Sequence, residues 1–318
     1  MTNNKIIIAG GGLAGLIVSI HLTRAGVRCL VIEKKVYPFH RVCGEYISNE
    51  VVPYLRSLDA FPLSLGPSKI ERFQLTSTNG NLTEMPLDLG GFGISRFRFD
   101  HFLYEHARAI GVEFLVNTEV KNIWFRDDQF LVETAHEKFI TPIVIGTFGK
   151  RSKLDISLDR SFIRKRSPYV GVKYHVRLKD FPKDLIALHN FHNGYCGISR
   201  VEEDLVNLCY LTSRSNLKLH GNIPAMEQAV LFKNPFLKDI FQRADFVLEK
   251  PETINEISFE TKAPVEQHIL MAGDAAGMIS PLCGNGMAIA IHSAKLLSEH
   301  VIRFLSDKTY SRSEMEHD

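Results

Sequence analysis

Three glycines near the start of the chain have the spacing of a phosphate-binding turn. Gly10, Gly12 and Gly15 follow the pattern G-x-G-x-x-G. The first glycine of such a turn allows a sharp chain reversal, the second leaves the backbone open to a pyrophosphate, and the third lets a helix pack closely on the preceding strand. The N–H groups of Leu13, Ala14 and Gly15 would face the phosphates, where the helix dipole favours negative charge. This spacing predicts a dinucleotide site.

An acidic residue downstream narrows the choice of dinucleotide. Glu33 lies 18 residues beyond Gly15, at the end of the apolar run 28–33. Its carboxylate can accept hydrogen bonds from an adenosine ribose and would repel a 2′-phosphate, so FAD or NAD fits better than NADP. We include the adjacent Lys34 among the predicted cofactor-binding residues.

A second group of residues with similar chemistry lies near the other end of the chain. An apolar run, 269–272, leads into Gly273 and Asp274, and a glycine-rich loop, 281–286, precedes a helical stretch. The Asp274 carboxylate can accept hydrogen bonds from ribityl hydroxyls, and N–H groups at a helix N-terminus can stabilise charge on an electron-rich ring. NAD alone would not need both groups, so together they favour FAD. The cofactor-binding residues predicted here are Gly273, Asp274, Gly284, Asn285, Gly286 and Met287.

Residues with reactive or charged side chains are also dense in the loop after Glu33. Arg41 could pair with a pyrophosphate, and Gly44 could let the backbone approach a flat ring. Cys43 lies between them, and a solvated loop with an unrelated cysteine is the alternative interpretation. Glu45 could donate a proton, or it could form a solvent-facing ion pair. No residue is assigned a catalytic role from the sequence.

The elements that must position these residues alternate between strands and helices. A strand, a helix over 13–25 and a second strand surround the first glycines, and Asn79-Gly80 predicts a hairpin between 70 and 85. Asp100 is predicted to cap a helix that ends at Gly111, with Arg96 and Arg98 just before it. Residues 121–140 favour a β-meander, 143–146 a buried strand, and 169–211 a β-rich region that would form a wall for a substrate. His175, His189 and His192 in that region do not predict a metal site.

The fold class predicted from this order is α/β with mixed α+β character. It comprises a Rossmann-like FAD/NAD(P)-binding domain with an inserted β-sheet substrate domain. We assign residues 1–75, 96–165 and 255–306 to the nucleotide-binding domain and residues 76–95 and 166–254 to the substrate domain. Residues 307–318 are predicted to form a polar tail.

Composition excludes several other classes of protein. The 318 residues are 45% hydrophobic and 23% charged, and a net charge of +2 gives no electrostatic reason to expect nucleic-acid binding. The five cysteines are odd in number and widely spread, which argues against a secreted disulfide framework and favours the reducing cytoplasm. No apolar run reaches the roughly 18 residues of a transmembrane helix, while contact with a membrane surface is left open.

Taken together, these residues resemble flavoproteins of the p-hydroxybenzoate hydroxylase fold, especially the branch of geranylgeranyl reductases and flavin-dependent halogenases. The first glycines with Glu33 are similar to that family's adenosine motif, and Gly273-Asp274 with loop 281–286 to its ribityl motif. The resemblance implies that Arg96 contacts the flavin and that the backbone of Val120 contacts adenine. It also implies that Arg41, Cys43 and Gly44 lie beside the isoalloxazine ring.

The chain also departs from this family pattern. Phe148, in GTFGKRS, stands where the family usually has an aspartate tied to flavin and NAD(P)H handling. Trp124 is the only tryptophan, so the tryptophan-rich halogenase signature is missing. Residues 194–202 occupy the place where reductases often have a tryptophan-containing strand, and relatives usually continue with further helices beyond the last one here.

The sequence therefore predicts an FAD-dependent oxidoreductase. The flavin would take electrons from NADPH or NADH and act on an apolar or aromatic small molecule, as a monooxygenase or as a double-bond reductase. Cys43 beside the flavin favours the reductase, and the generic fold favours the monooxygenase. Two alternatives are an NAD-linked dehydrogenase that uses only the N-terminal motif and a non-enzymatic protein that holds FAD.

Overall fold

The computed structural model describes residues 5–255 and 257–318. Its strands alternate with helices at both ends of the chain and dominate the middle. In chain order the strands are β1 (Ile6–Ala9), β2 (Cys29–Ile32), β3 (Tyr46–Ser48), β4 (Ser68–Thr76), β5 (Leu82–Gly93), β6 (Glu113–Leu115), β7 (Asn122–Arg126), β8 (Gln129–Glu133), β9 (Lys138–Thr141), β10 (Val144–Gly146), β11 (Tyr169–Arg177), β12 (Leu185–Phe191), β13 (Gly194–Arg200), β14 (Leu205–Ser213), β15 (Asp245–Phe246), β16 (Glu252–Ile254), β17 (Val265–Glu266) and β18 (Ile269–Met271).

The α-helices follow the glycine-rich turns at both ends and cover one face of the middle strands. Short 3₁₀ turns connect several of these elements. In chain order the helices are α1 (Leu13–Arg24), α2 (Val52–Ser57), α3 (Arg96–Ala109), α4 (Lys153–Ser157), α5 (Arg214–His220), α6 (Ile223–Ala229), α7 (Pro235–Arg243), α8 (Gly286–Ser306) and α9 (Arg312–His317).

The first sheet carries the nucleotide motifs. Its strand order is β17-β18-β10-β1-β2-β6, parallel throughout except for the edge strand β17. Helices α1, α3 and α8 pack on one face, and the small sheet β7-β8-β9 packs on the other. Because both faces are covered, the inner strands are uniformly apolar, as in the IIIA run of β1, whereas the edge strands β6 and β17 each contain a glutamate. The predicted strand, helix and strand around the first glycines are confirmed.

The second sheet is β15-β11-β14-β13-β12-β4-β5-β3, with β16 paired to β11. All its pairs are antiparallel except β12 with β4, and β4 and β5 form the hairpin predicted around Asn79-Gly80. One face of the sheet packs against α6 and α7 through alternate residues such as Val172 and Tyr174. The residues between them, beginning with Lys173, point the other way, toward the loop after Glu33.

Two local predictions need correction. Helix α3 begins at Arg96, and its N-cap is Ser95, whose hydroxyl accepts from the Arg98 N–H; Asp100 therefore lies inside the helix. The predicted polar tail, 307–318, contains helix α9 and buries Tyr310 and Met315. Strand β4 crosses the domain boundary drawn at residue 75, and the division into two domains stays a prediction. Among the described residues, no helix is long and apolar enough to cross a bilayer.

Candidate cofactor-binding site

Two of the three glycines in the first turn have no room for a side chain. Gly10 has a φ of +112°, and a Cβ placed on it would lie 2.5 Å from the backbone oxygen of Thr147. A Cβ on Gly15 would lie 2.1 Å from the carbonyl oxygen of Gly10. A Cβ on Gly12 would meet nothing closer than the Arg41 guanidinium, at 3.7 Å. Gly10 and Gly15 are thus required by the fold, whereas Gly12 keeps an open approach to the backbone.

The helix that follows this turn begins without a cap. Gly12 is the N-cap of α1 and offers no side-chain acceptor. Within residues 5–255 and 257–318, no protein acceptor takes a hydrogen bond from the N–H groups of Leu13, Ala14 or Gly15. Free donors at the positive end of a helix dipole are suited to phosphate oxygens.

The acidic residue at the end of β2 is held in place by backbone donors. Glu33 is buried, and its carboxylate accepts from the N–H of Gly11 at 2.8 Å and from the N–H of Lys35 at 3.0 Å. Its ribose contact stays a prediction. Lys34 is exposed, and Val120 is buried between β6 and β7, so a role for either in adenosine binding also stays a prediction.

The two glycine-rich motifs, one at each end of the chain, are in direct contact. Gly273 has a φ of +63°, and a Cβ placed on it would lie 3.0 Å from the Ala14 Cβ and 3.6 Å from the Ala290 Cβ. Its N–H donates to the Ser293 hydroxyl at 2.9 Å. The turn that carries Asp274 therefore packs between the N-terminal turn of α1 and helix α8.

Helix α8 presents a second uncapped N-terminus beside this turn. The side chain of its N-cap, Asn285, makes no capping bond: its Nδ2 donates to Glu50 at 2.9 Å, while its Oδ1 is buried without a partner. In the described part of the chain, the N–H groups of Gly286 and Met287 have no protein acceptor. A Cβ on Gly286 would meet nothing within 4 Å, whereas Gly284 has a φ of +65°, which favours glycine.

One buried carboxylate holds both predicted arginines. Asp100 accepts from Arg96 Nε at 2.6 Å and Nη2 at 2.7 Å, and from Arg41 Nε at 3.2 Å. A bidentate Arg–carboxylate pair of this kind fixes the plane of the guanidinium. Sequence reasoning made Asp100 a helix cap and missed this role, although its spacing four residues after Arg96 was a usable signal.

The loop after Glu33 reaches the start of α8. The Cys43 Sγ lies 3.4 Å from the Met287 Sδ, and the Cys43 carbonyl accepts from Asn207 Nδ2 at 3.2 Å. Gly44 is exposed, and a Cβ placed on it would meet nothing within 4 Å. The structure therefore brings Cys43, Gly44 and the N-terminus of α8 together, with open space at Gly44.

A buried ionic cluster stands directly behind this loop. The Glu45 carboxylate is fully buried and accepts from Lys173 Nζ and, at 2.6 Å, from His175 Nε2. Burial works to raise the pKa of Glu45, but Lys173 and His175 outweigh it and hold that pKa below its ordinary value. The predicted alternative of a solvent-facing ion pair for Glu45 is wrong. Alternation in YVGVKYHV places Lys173 and His175 on one face of a strand and was the missed signal.

The place of the missing aspartate is filled by an aromatic ring. Phe148 is half-buried, and its ring lies against Gly146, where an added Cβ would be 2.8 Å from the ring. Nearby, the buried Lys262 donates to the carbonyl oxygens of Lys150 at 2.8 Å and Asp274 at 2.7 Å. Burial lowers the pKa of Lys262 to about 8. The turn at Asp274 is therefore anchored by a lysine from another segment.

The face of the second sheet that meets this loop is partly open. Asn207 on β14 points toward Cys43, so Cys209 and Leu211 share its face, and their β13 partners Gly197 and Tyr195 lie beside them. These four residues are half-exposed. They form a mixed aromatic and aliphatic wall on the sheet face that contacts the loop at Cys43. The described residues contain no group of three or more His, Cys, Asp or Glu side chains that could hold a metal ion.

The arrangement fits a flavin dinucleotide. Two uncapped helix N-termini, the open backbone of Gly12 and an unpartnered buried Asn285 oxygen lie beside the turns that follow β1 and β18, at the carboxyl edge of the first sheet. Ligands of open α/β sheets bind at this edge.

Comparison with known proteins also supports an FAD-binding fold. The family model described as FAD binding domain matches residues 3–312, which takes in both glycine-rich motifs. A 1H-pyrrole-2-carbonyl-[peptidyl-carrier protein] chlorinase of Pseudomonas fluorescens is 22% identical over 389 aligned positions, covering 98% of this chain and 78% of that protein. A geranylgeranyl diphosphate reductase of Rhodobacter capsulatus is 23% identical over 326 positions, covering 94% of this chain and 75% of that protein.

Solved structures share the fold. The crystal structure of CmlS, a flavin-dependent halogenase, superposes with a TM-score of 0.82 at 20% identity over 100% of this chain and 61% of that one. The predicted fold class is confirmed, and the similar proteins include a halogenase and a geranylgeranyl reductase, as the resemblance implies. The chain belongs to the FAD binding domain family and is an FAD-dependent oxidoreductase.

Proposed function

We propose that FAD lies along the edge of the first sheet, from Glu33 to the N-terminus of α8. The observation that carries this placement is the packing of Gly273 against Ala14, because it puts the adenosine and ribityl motifs within the length of one cofactor. The free N–H groups of α1 would hold the pyrophosphate, and Asp274 would accept from the ribityl chain. Cys43, Gly44 and Arg96 would then lie beside the isoalloxazine ring, and Arg41, whose guanidinium lies beside Gly12 and Glu33, would reach the pyrophosphate.

We infer that the reaction is reduction of a carbon–carbon double bond in an apolar or aromatic small molecule. The substrate would lie between Gly44 and the wall of Tyr195, Cys209 and Leu211. FAD, when bound and reduced by NADPH, NADH or another donor, supplies the two electrons. What favours reduction over oxygen-dependent chemistry is the sulfur pair of Cys43 and Met287, because thiols and thioethers are the side chains most easily consumed by peroxide oxidants.

The proposal extends to the electron donor and the cellular compartment. Phe148 places an apolar ring where relatives of this fold have a carboxylate, so we expect slow reduction by NAD(P)H rather than none. The five cysteines are free thiols, which supports the cytoplasm as the compartment. The chlorinase relative is named for a carrier-bound acyl group, so a carrier-bound substrate belongs among the compounds to be tested.

The experiment compares the flavin with and without oxygen. The purified protein is reduced anaerobically by NADPH, NADH or dithionite, and its visible spectrum is followed after addition of prenyl and aromatic alkenes. Reoxidation by an alkene, with a product two hydrogens heavier by mass spectrometry, supports double-bond reduction. Product that forms only with oxygen, or only with oxygen and a halide ion, would instead establish hydroxylation or halogenation and overturn the proposal.

A further inference from the structure

Glu45 has an unusual backbone conformation and unusually complete burial. Its φ is +55°, a left-handed conformation that costs a residue with a side chain on the order of 1 kcal/mol, and its side chain is inaccessible to solvent. The strain falls one residue after Gly44, at the end of the loop that meets the start of α8. Such strain persists only where surrounding contacts over-determine the conformation.

Those contacts come from three separate elements. Lys173 and His175 on β11 donate to the two carboxylate oxygens, and the N–H of Arg96, the first residue of α3, donates to Oε1 at 2.8 Å. The N–H of Glu45 itself points at the Cys43 Sγ, 3.5 Å away. One carboxylate thus ties the loop to the second sheet and to the helix that carries Arg96.

The same network fixes both the backbone and the side chains of Arg41 and Arg96. Lys173 Nζ also donates to the backbone carbonyl of Arg41 at 3.2 Å, while Asp100 holds the guanidinium groups of Arg41 and Arg96. Their backbones are therefore set by the Glu45 cluster and their side chains by Asp100. His40, half-buried with its ring against that of His175, completes the charged and titratable surroundings of the cluster within the loop.

A contribution to folding stability does not by itself explain the buried cluster of Glu45, Lys173 and His175. A buried ion pair is often no more stabilising than apolar residues of similar volume, because desolvation offsets the Coulombic attraction. What a rigid ionic anchor does supply is a pre-organised loop, since a ligand that meets an ordered loop does not have to order it on binding.

We propose that Glu45 is a positioning residue for the flavin. With Lys173 and His175 it sets segment 41–44 and Arg96 in the geometry that FAD requires, and it slows release of the cofactor. This inference rests on the proposed placement of the isoalloxazine ring beside Cys43 and Gly44.

The opposite face of the second sheet supplies a matched control for a substitution of Glu45. Glu227 is also buried, and its carboxylate accepts from the hydroxyls of Tyr174 at 2.9 Å and Tyr210 at 2.8 Å. Tyr174 stands on β11 between Lys173 and His175 but points to the opposite face, away from the loop. Glu227 itself lies on α6, so Glu227→Gln changes a buried carboxyl group packed against these strands without touching the flavin side.

The test uses the FAD-bound protein. Three variants are compared with the wild type: Glu45→Gln, Glu227→Gln, and the double variant Glu45→Gln with Lys173→Met. Each is measured for its thermal midpoint and for its rate of FAD release on dilution, which flavin fluorescence follows. Hydrogen exchange is measured at the amides of Cys43, Gly44 and Arg96. We expect Glu45→Gln to release FAD at least tenfold faster and to exchange those amides faster. Glu227→Gln should lower the midpoint and leave FAD release within twofold.

The double variant separates positioning from general stability. It removes both charges, so it should recover part of the thermal midpoint lost in Glu45→Gln, while FAD release stays fast. The proposal is overturned if release follows the thermal midpoint across all the variants, or if the loop amides are unchanged in Glu45→Gln. If instead the wild-type protein retains FAD but Asp274→Ala and Gly12→Val release it no faster, the placement of the cofactor itself is wrong.

Discussion

Replacing the buried Lys262 should change how the stability of the protein depends on pH. Its ammonium group donates to two backbone carbonyls, at Lys150 and Asp274, and packs over the Phe162 ring at 4.3 Å. Burial disfavours the charged form and lowers the pKa from 10.5 to about 8, with Asp155 opposing the shift. A neutral amine keeps two N–H donors, so both carbonyls stay satisfied after the proton leaves.

The sign and size of the effect follow from that shift. Below pH 8 the lysine is charged in both states, and the folded state bears the cost of burying the charge. Between pH 8 and 10.5 the unfolded chain binds a proton that the folded chain has lost, so the unfolding free energy rises with pH. A shift of this size corresponds to at most about 3 kcal/mol, at roughly 1.4 kcal/mol per pKa unit.

Urea denaturation of the wild type and of Lys262→Met, from pH 7 to 10.5, measures this pH dependence of the unfolding free energy. The difference in unfolding free energy, wild type minus variant, should increase by up to about 3 kcal/mol across the range, because every other titrating group is common to both proteins. Lys308→Met, at an exposed lysine, controls for the loss of one positive charge. A difference that is flat, or that falls with pH, would refute the assignment of the shift to burial of Lys262.

Two further predictions concern the nucleotide motifs. Gly15→Ala forces a Cβ onto the Gly10 carbonyl and should lower the unfolding free energy by about 1–3 kcal/mol or more. In Gly286→Ala the added Cβ meets no atom, so the thermal midpoint should be nearly unchanged. Equal midpoints for the two variants would contradict the close packing of α1. Asp274→Ala should raise the dissociation constant for FAD, measured by calorimetry, at least tenfold, while Asp204→Ala, at a strongly exposed aspartate in the turn before β14, should not. Similar affinities for both would show that Asp274 lies outside the cofactor site.

Local sequence was sufficient for the elements that carry the glycine motifs. Gly10 and Gly273 directly follow apolar runs that are typical of buried strands, so the turns, the helix after Gly10 and the nucleotide function could be inferred together. The hairpin at Asn79-Gly80 and the meander over 121–140 were predictable for the same reason, since both depend on neighbours in the chain.

Contacts between distant segments could not be read in this way. Glu45 and Lys173 are 128 residues apart, and nothing near either of them indicates the other. Asp100 was assigned to a cap because it precedes an apolar helical stripe, but Ser95 starts the helix one turn earlier and leaves Asp100 free to bind Arg96 and Arg41. The sequence located the chemical groups, and the packing of the two sheets decided which of them meet.

The contact between Gly273 and Ala14 also has a consequence for synthesis of the chain. The N-terminal turn leaves the ribosome first, yet the residues that complete the site follow about 260 positions later. At roughly 5–20 residues per second, the N-terminal half-site waits on the order of 10 to 50 s for its partner. With FAD placed as proposed, a nascent N-terminal domain cannot enclose the cofactor, which must be captured after the second motif has been made.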